Sequence, residues 1–210
     1  MINKDLGTNT ISKNKLRIEQ PINKINIFFL HIFKLKNIMK TTAILFMLSI
    51  ICTTVFGQTD KSKRASPPDS VKVTTNDGVT IDIHYSRPSL KGRQIGVDIV
   101  KIGEVWRTGA NEATTVAFDH DVLVEGEKLP KGKYSLYTIP GEQETIVIFN
   151  KTWDQWGTKY DKNQDALRVN VSSETNNLTQ EQFKIDVDKS GKIGLLWGDY
   201  VLPIQVKSAL

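Results

Sequence analysis

The chain has 210 residues, 24% of them charged and 39% hydrophobic, and a formal charge of +5. Residues 1–57 carry 8 Lys+Arg and 2 Asp+Glu of the totals 28 and 23, which leaves 20 and 21 for the remaining 153 residues. That near-neutral remainder excludes the basic footprint of a nucleic-acid binder, has no apolar stretch long enough to span a membrane, and is long enough for one domain with a sizeable core.

Asn, Lys, Ile and Phe make up 23 of the first 38 residues. That bias is typical of translated AT-rich non-coding DNA, and residues 1–38 are expected to be a mis-called extension ahead of a true start at Met39. The alternative is a real extension with an interfacial apolar patch over residues 25–33. Residues 39–57 have the parts of a signal peptide. Lys40 supplies the positive end, residues 43–52 are apolar except for Ser49, and Val55 and Gly57 fit the small-residue cleavage pattern. A Sec-type signal cleaved after Gly57 is expected, with export to the periplasm or cell surface. Ile50 and Ile51, bulky just before Cys52, argue against a lipoprotein. Cys52 is the only cysteine and leaves with the signal, so the mature chain is expected to have no disulfide, thiolate metal site or cysteine nucleophile.

Residues 58–69 are polar, include Lys61, Lys63, Arg64 and Pro67-Pro68, and read as a flexible linker before a domain at 70–207. Residues 71–73 are a short strand leading to Asn76-Asp77-Gly78, a hairpin signal. Val79, Ile81, Ile83 and Tyr85 then alternate with Thr80, Asp82 and His84, the pattern of a half-buried strand. Residues 97–102 are expected to form one helical turn. Runs at 114–118 and 122–125 are joined by Asp119-His120-Asp121. Pro130-Lys131-Gly132 leads into 134–139, and Pro140-Gly141 into 145–149. A second helical turn is expected at 161–165, and further runs fall at 167–171, 182–187, 193–197 and 200–206. Turns every 8–12 residues or so predict an all-β antiparallel β-sandwich with minor short helices.

Four strings stand out: Tyr85-Ser86-Arg87-Pro88 with Lys91-Gly92-Arg93; residues 106–114, WRTGANEAT; residues 129–137, LPKGKYSLY, with Ile139-Pro140-Gly141; and Phe149-Asn150-Lys151 with Trp156-Gly157. Together they resemble the exported bacterial family of uncharacterised proteins filed as domain of unknown function 2911. The resemblance runs from about Ala65 to Val206. It implies an exported protein, mostly of Gram-negative bacteria, and brings no assigned reaction.

Three chemistries are open to these residues. Arg87, Lys91, Arg93 and Arg107 fall within 21 positions, with Asn111 and Glu112 close behind. Arginine offers a planar fork for carboxylate or phosphate, while Arg107 paired with Glu112 or Glu104, and a solvated face for Lys91 and Arg93, are the structural alternatives. Among the aromatic residues Tyr134, Tyr137, Trp153, Trp156 and Trp197, the loop-borne Trp153 and Trp156 are the candidates for stacking on a sugar, against core or loop packing. Residues 186–193 match the first eight positions of an EF-hand loop, but the twelfth is Trp197 rather than glutamate, and residues 189–192 read as a hairpin turn. His84 and His120 lack a nucleophile elbow to serve. The resulting expectation is a non-catalytic ligand-binding or interaction module without metal or cofactor. Its ligand is a carbohydrate, a small anion or an envelope component, held by Arg87, Arg107, Asn111, Glu112, Trp153 and Trp156. The alternative is a small hydrolase with Glu112 as acid or base and Arg107 as oxyanion stabiliser.

Overall fold

The computed structural model describes residues 27–40, 42 and 60–210, and the chain divides into two compact units, Met1–Thr59 and Asp60–Leu210. In the first unit, residues 27–40 are helical, and Phe28, Phe29, Leu30 and Phe33 are exposed. The expected apolar signal core, its cleavage site and residues 1–26 lie outside the described residues. No helix among those described is long and apolar enough to cross a membrane.

The second unit is a β-sandwich. Its strands are β1 (Pro68–Thr74), β2 (Thr80–Ser86), β3 (Thr115–Phe118), β4 (Val122–Val124), β5 (Glu127–Leu129), β6 (Gly132–Pro140), β7 (Glu144–Asn150), β8 (Asp165–Ser172), β9 (Glu174–Val187) and β10 (Lys192–Ser208). One sheet runs β1-β2-β3-β6-β7-β8 and the other β5-β4-β10-β9, and the paired strands are antiparallel. Period-two alternation fills the space between them. Ile81, Ile83, Val116, Leu136, Val147 and Phe149 meet Phe183, Ile185, Leu195, Leu202 and Ile204, all nearly or wholly inaccessible. Burying each such side chain contributes about 1.5–3 kcal/mol.

The turns follow the local chemistry. Gly78 (φ +88°) closes the β1–β2 hairpin by donating to Thr75 O at 3.1 Å, the left-handed glycine of a three-residue loop. Residues 119–121 do not make a hairpin. They carry the chain from the six-stranded to the four-stranded sheet, and residues 130–131 bring it back. Asp121 Oδ1 accepts from Lys131 N at 2.8 Å, which ties the two crossings together.

Three expectations are corrected. Residues 97–102 form turns rather than helix, whereas 161–165 holds a single 3-10 turn, Lys162–Gln164, capped by Asp161. The runs at 193–197 and 200–206 are one strand, β10, irregular about Gly198, whose φ of +61° breaks the ladder without ending it. The stretch from Asp60 to Pro67, expected to be a flexible linker, is tied down. It forms the turn Lys61–Lys63, and Pro67 O accepts from Arg87 N at 2.9 Å.

Candidate functional site

β6 is longer than its neighbour β3, and the WRTGANEAT string results from that mismatch. Thr114 O accepts from Leu136 N at 2.8 Å, and Trp106 exchanges two hydrogen bonds with Thr138, at 2.7 and 2.9 Å. Both ends of the string therefore lie on β6, and residues 107–113 leave the sheet between them. Thr108 (φ +49°) and Asn111 (φ +59°) are in the left-handed region and Gly109 has φ +151°. Such positions cost about 1–3 kcal/mol each for non-glycine residues and persist only where the surroundings over-determine them. Here Thr114 Oγ1 donates to Thr108 O at 2.6 Å and Thr108 Oγ1 to Thr138 Oγ1 at 3.3 Å. A Cβ on Gly109 would lie 2.7 Å from Thr114 Oγ1 and 3.1 Å from Ser86 O, so only glycine fits.

This excursion stands on the outer face of the six-stranded sheet. Tyr134 and Leu136 point into the core, and Ser135 and Tyr137 point out, yet both are buried. The segment after β7 covers them. Ser135 Oγ donates to Thr152 O at 2.9 Å, Tyr137 OH to Lys159 O at 3.2 Å, and Asn150 Nδ2 to Asp161 O at 2.8 Å. The register aligns His84, Thr115, Ser135, Asn150 and Asp165 in one polar row across this face.

The covering segment pairs with the excursion. Ala113 N donates to Gln155 O at 3.0 Å and Gly157 N to Asn111 O at 2.9 Å, which sets Glu112 opposite Trp156. Gly157 has no room for a side chain. A Cβ there would lie 2.7 Å from Arg107 Cδ and 3.0 Å from Asn111 O. The stem of Arg107 is therefore pinned against a bare backbone, while its guanidinium makes no hydrogen bond or ion pair among the described residues. Trp156 is 46% exposed and Trp153 40%, with Lys133 Nζ 4.3 Å from the Trp153 ring centroid.

A third segment comes from before β1. Arg64 Nη1 donates to both oxygens of Glu112, at 3.0 and 2.8 Å, and Lys61 Nζ lies 3.0 Å from Oε1. Asn111 Nδ2 donates to Ser66 O at 3.0 Å. Partial burial pushes the Glu112 carboxyl up, but its own backbone N–H, Lys61 and Arg64 outweigh burial and bring it down to about 2. The sequence reading paired Glu112 with Arg107 or left it open. The structure gives it to residues 48 and 51 positions upstream, and so leaves Arg107 available.

The structure thus brings Arg107, Asn111, Glu112 and Trp156 together, with Trp153 in the same covering segment. Arg87 is held elsewhere. Its Nη1 lies 3.3 Å from Asp69 Oδ2 and its Nε donates to Phe183 O, so it ties β1 to β9. Arg93 donates from Nε to Leu90 O and from Nη2 to Ser89 O. Tyr134 and Trp197 belong to the core, and Tyr137 lies beneath the covering segment. Residues 189–191 form the tip of the β9–β10 hairpin, where Asp188 Oδ1 accepts from Ser190 N, Ser190 Oγ and Lys192 N. Lys61, Arg64, Lys133 and Gly157 were not among the site residues expected from the sequence. The first two looked like tether charges, and no local pattern links them to a carboxylate so far along the chain.

A model of one protein family, described as a protein of unknown function (DUF2911), matches residues 66–206. No curated protein matches the chain, and no solved structure does. The matched span includes the excursion, the covering segment and every strand except the last two residues of β10, and the chain belongs to this family of unknown function.

Proposed function

We propose that the domain is an exported, non-catalytic binding module that holds an anionic sugar, or a small anion of similar size, on the outer face of its six-stranded sheet. The observation that carries this reading is Arg107. An arginine fork held at its stem by Gly157, with no partner at its tip among the described residues, is pre-organised for a carboxylate or phosphate. Trp156 and Trp153 supply exposed aromatic faces for the C–H side of a ring. The segments that meet there, residues 60–67, 107–113 and 151–164, carry seven Lys+Arg against four Asp+Glu, which favours an anion. Glu112 serves as the anchor for Arg64 and Lys61. A carboxyl held at about 2 is ionised at neutral pH and has no proton to deliver, which speaks against the hydrolase alternative with Glu112 as the acid. A purely structural envelope role would bury the whole WRTGANEAT string, and Arg107, Asn111 and Glu112 are half-exposed.

Export rests on residues 39–57, and N-terminal sequencing of the exported protein is expected to begin at Gln58. That end would lie just ahead of Asp60, so the mature chain would carry its own first turn on the site. The binding test is calorimetry with glucuronate, inorganic phosphate and glucose. Glucuronate or phosphate binding that disappears in Arg107→Ala, with stability changed by no more than about 0.5 kcal/mol, is expected. Binding of neither anion, or equal binding to Arg107→Ala, would refute the assignment.

A further inference from the structure

An open groove of about 430 Å³ shares no lining residue with the Arg107 site and is independent of the reading above. It is lined by Leu90, Arg93, Gln94 and Ile95 from the chain after β2, and by Thr179, Gly198 and Asp199 from β9 and β10. Its volume lies in the range of small-ligand pockets, roughly 300–1,000 Å³. The groove forms where β9 and β10 lose register. From the pair Gly198 and Gln180 to the pair Tyr200 and Thr175, β10 advances two residues and β9 five. Residues 176–179 therefore bulge from the ladder opposite Asp199 alone, and bulges of this kind re-aim side chains beside sites. Gly198 (φ +61°) lays bare backbone against the apolar part of the wall. A Cβ there would lie 3.4 Å from Ile95 Cδ1 and 3.7 Å from Leu90 Cδ1.

The chain after β2 is fixed onto β9. Leu90 N donates to Glu181 O and Lys91 N to Glu181 Oε1, both at 2.9 Å. Lys91 (φ +51°) and Gly92 (φ +75°) then turn the chain so that Arg93 doubles back on it. Arg93 N and Nε donate to Leu90 O at 3.1 and 2.9 Å, and Nη2 to Ser89 O at 2.7 Å. Two carbonyls thus hold the guanidinium in place, while Nη1 has no partner among the described residues. A left-handed lysine sustained by its surroundings is the kind of strain that collects at ligand sites. Asp199 is exposed, and its carboxylate makes no hydrogen bond or ion pair among the described residues. Arg93 and Asp199 therefore line one groove without pairing with each other.

We propose that this groove binds a free α-amino acid with an aliphatic side chain, its carboxylate on Arg93, its ammonium on Asp199 and its side chain against Leu90 and Ile95. A ligand of one sign is opposed by one of the two charges: an anion by Asp199, a cation by Arg93. A ligand carrying both signs satisfies both. No aromatic side chain lines the groove for a sugar to stack on, and Leu90 and Ile95 offer aliphatic contact instead. The side chains of Gln94 and Thr179, without partners among the described residues, add donors and acceptors for the same polar groups.

The test is calorimetry and amide NMR on the whole chain with leucine, leucinamide and N-acetyl-leucine, the last two each lacking one charge. Leucine is expected to bind with a Kd of about 1 mM or tighter, and each analogue about tenfold or more weakly. Asp199→Asn, an exposed change that keeps the side chain's shape, is expected to weaken leucine about as much as acetylating its amine does. Leucine should shift the amides of residues 93–96, 179 and 198–199 and leave those of 107–113 in place. Absence of heat and of shifts at roughly 10 mM leucine, equal binding of the one-charge analogues, or an unchanged leucine affinity in Asp199→Asn would overturn the proposal. Shifts confined to residues 107–113 would equally overturn it, since the amino acid would then sit at Arg107.

Discussion

Residues 94–102 and 107–113 belong to the same connection between β2 and β3, yet they are held in opposite ways. The later stretch is bonded to its surroundings on every side: to β6 at both ends, to the covering segment through Asn111 and Ala113, and to the segment before β1 through Asn111 and Glu112. The earlier one closes its hydrogen bonds on itself and rests on the sandwich through Ile95, Ile99 and Val100. Both contain strained residues, Thr108 and Asn111 in one and Val100 in the other. Strain is sustained by external bonds in the first and by apolar contact in the second. The first is therefore suited to present a fixed side chain, and the second to move.

The sharpest way to break this contrast is glycine substitution. Gly109→Ala brings a methyl within 2.7 Å of Thr114 Oγ1 and 3.1 Å of Ser86 O at an unfavourable φ, and the anchored stretch cannot give way. A loss of about 3 kcal/mol or more is expected by denaturant unfolding, steric and backbone costs adding. Gly157→Ala collides with Arg107 Cδ and Asn111 O, but a flexible stem can yield part of the way. Its expected cost is about 1–3 kcal/mol, together with loss of anion binding because Arg107 is displaced. Gly96→Ala meets nothing nearer than Ile102 at 4.0 Å, so only its φ is penalised and about 1 kcal/mol is expected. Equal costs at Gly96 and Gly109 would erase the distinction between the two stretches.

Acid sharpens the comparison from the electrostatic side. The Glu112 carboxyl lies at about 2 in the fold against an ordinary value of 4.5, so its ion pairs stabilise above the ordinary value and are lost as pH falls from about 5 towards 2. Glu112 is 41% and Lys61 58% exposed in their side chains, so solvent screening limits the effect to about 1 kcal/mol or less. Stability measured from pH 6 to pH 2 should fall less steeply in Glu112→Gln, and the difference should shrink in 1 M salt, where the screening length is about 3 Å. The smallest effect expected is the coupling between Arg107 and Glu112. A double-mutant cycle in unfolding should give a value near zero, within about 0.5 kcal/mol, because Glu112 takes its partners from Arg64 and Lys61. A large coupling would return Arg107 to a structural role.

Much of the sandwich was legible in the residues themselves. The alternation of Val79, Ile81, Ile83 and Tyr85 placed β2 and its buried face, and Asn76-Asp77-Gly78 placed the first hairpin, because side-chain direction and left-handed turns are local properties of a few residues. The WRTGANEAT string marked the excursion from the six-stranded sheet, since a dense polar run broken by glycine does not suit a strand. Other features depended on contacts between distant residues. Period-two alternation shows that a residue faces inward but not which sheet it joins, so the crossing at residues 119–121 could not be read locally. A carboxylate's partner is set by where the chain returns, so Glu112 went to Arg64, 48 positions away, while Arg87 went to Asp69 and the Phe183 carbonyl. Composition made residues 60–67 look like a tether, because a short polar segment is ordered only by the groups it meets. Sequence determined most of the strands, the hairpin turns and the polar string. The tertiary structure decided which arginine would be paired and which would have no partner among the described residues, because charge pairing acts through space and the chain pattern does not encode that proximity.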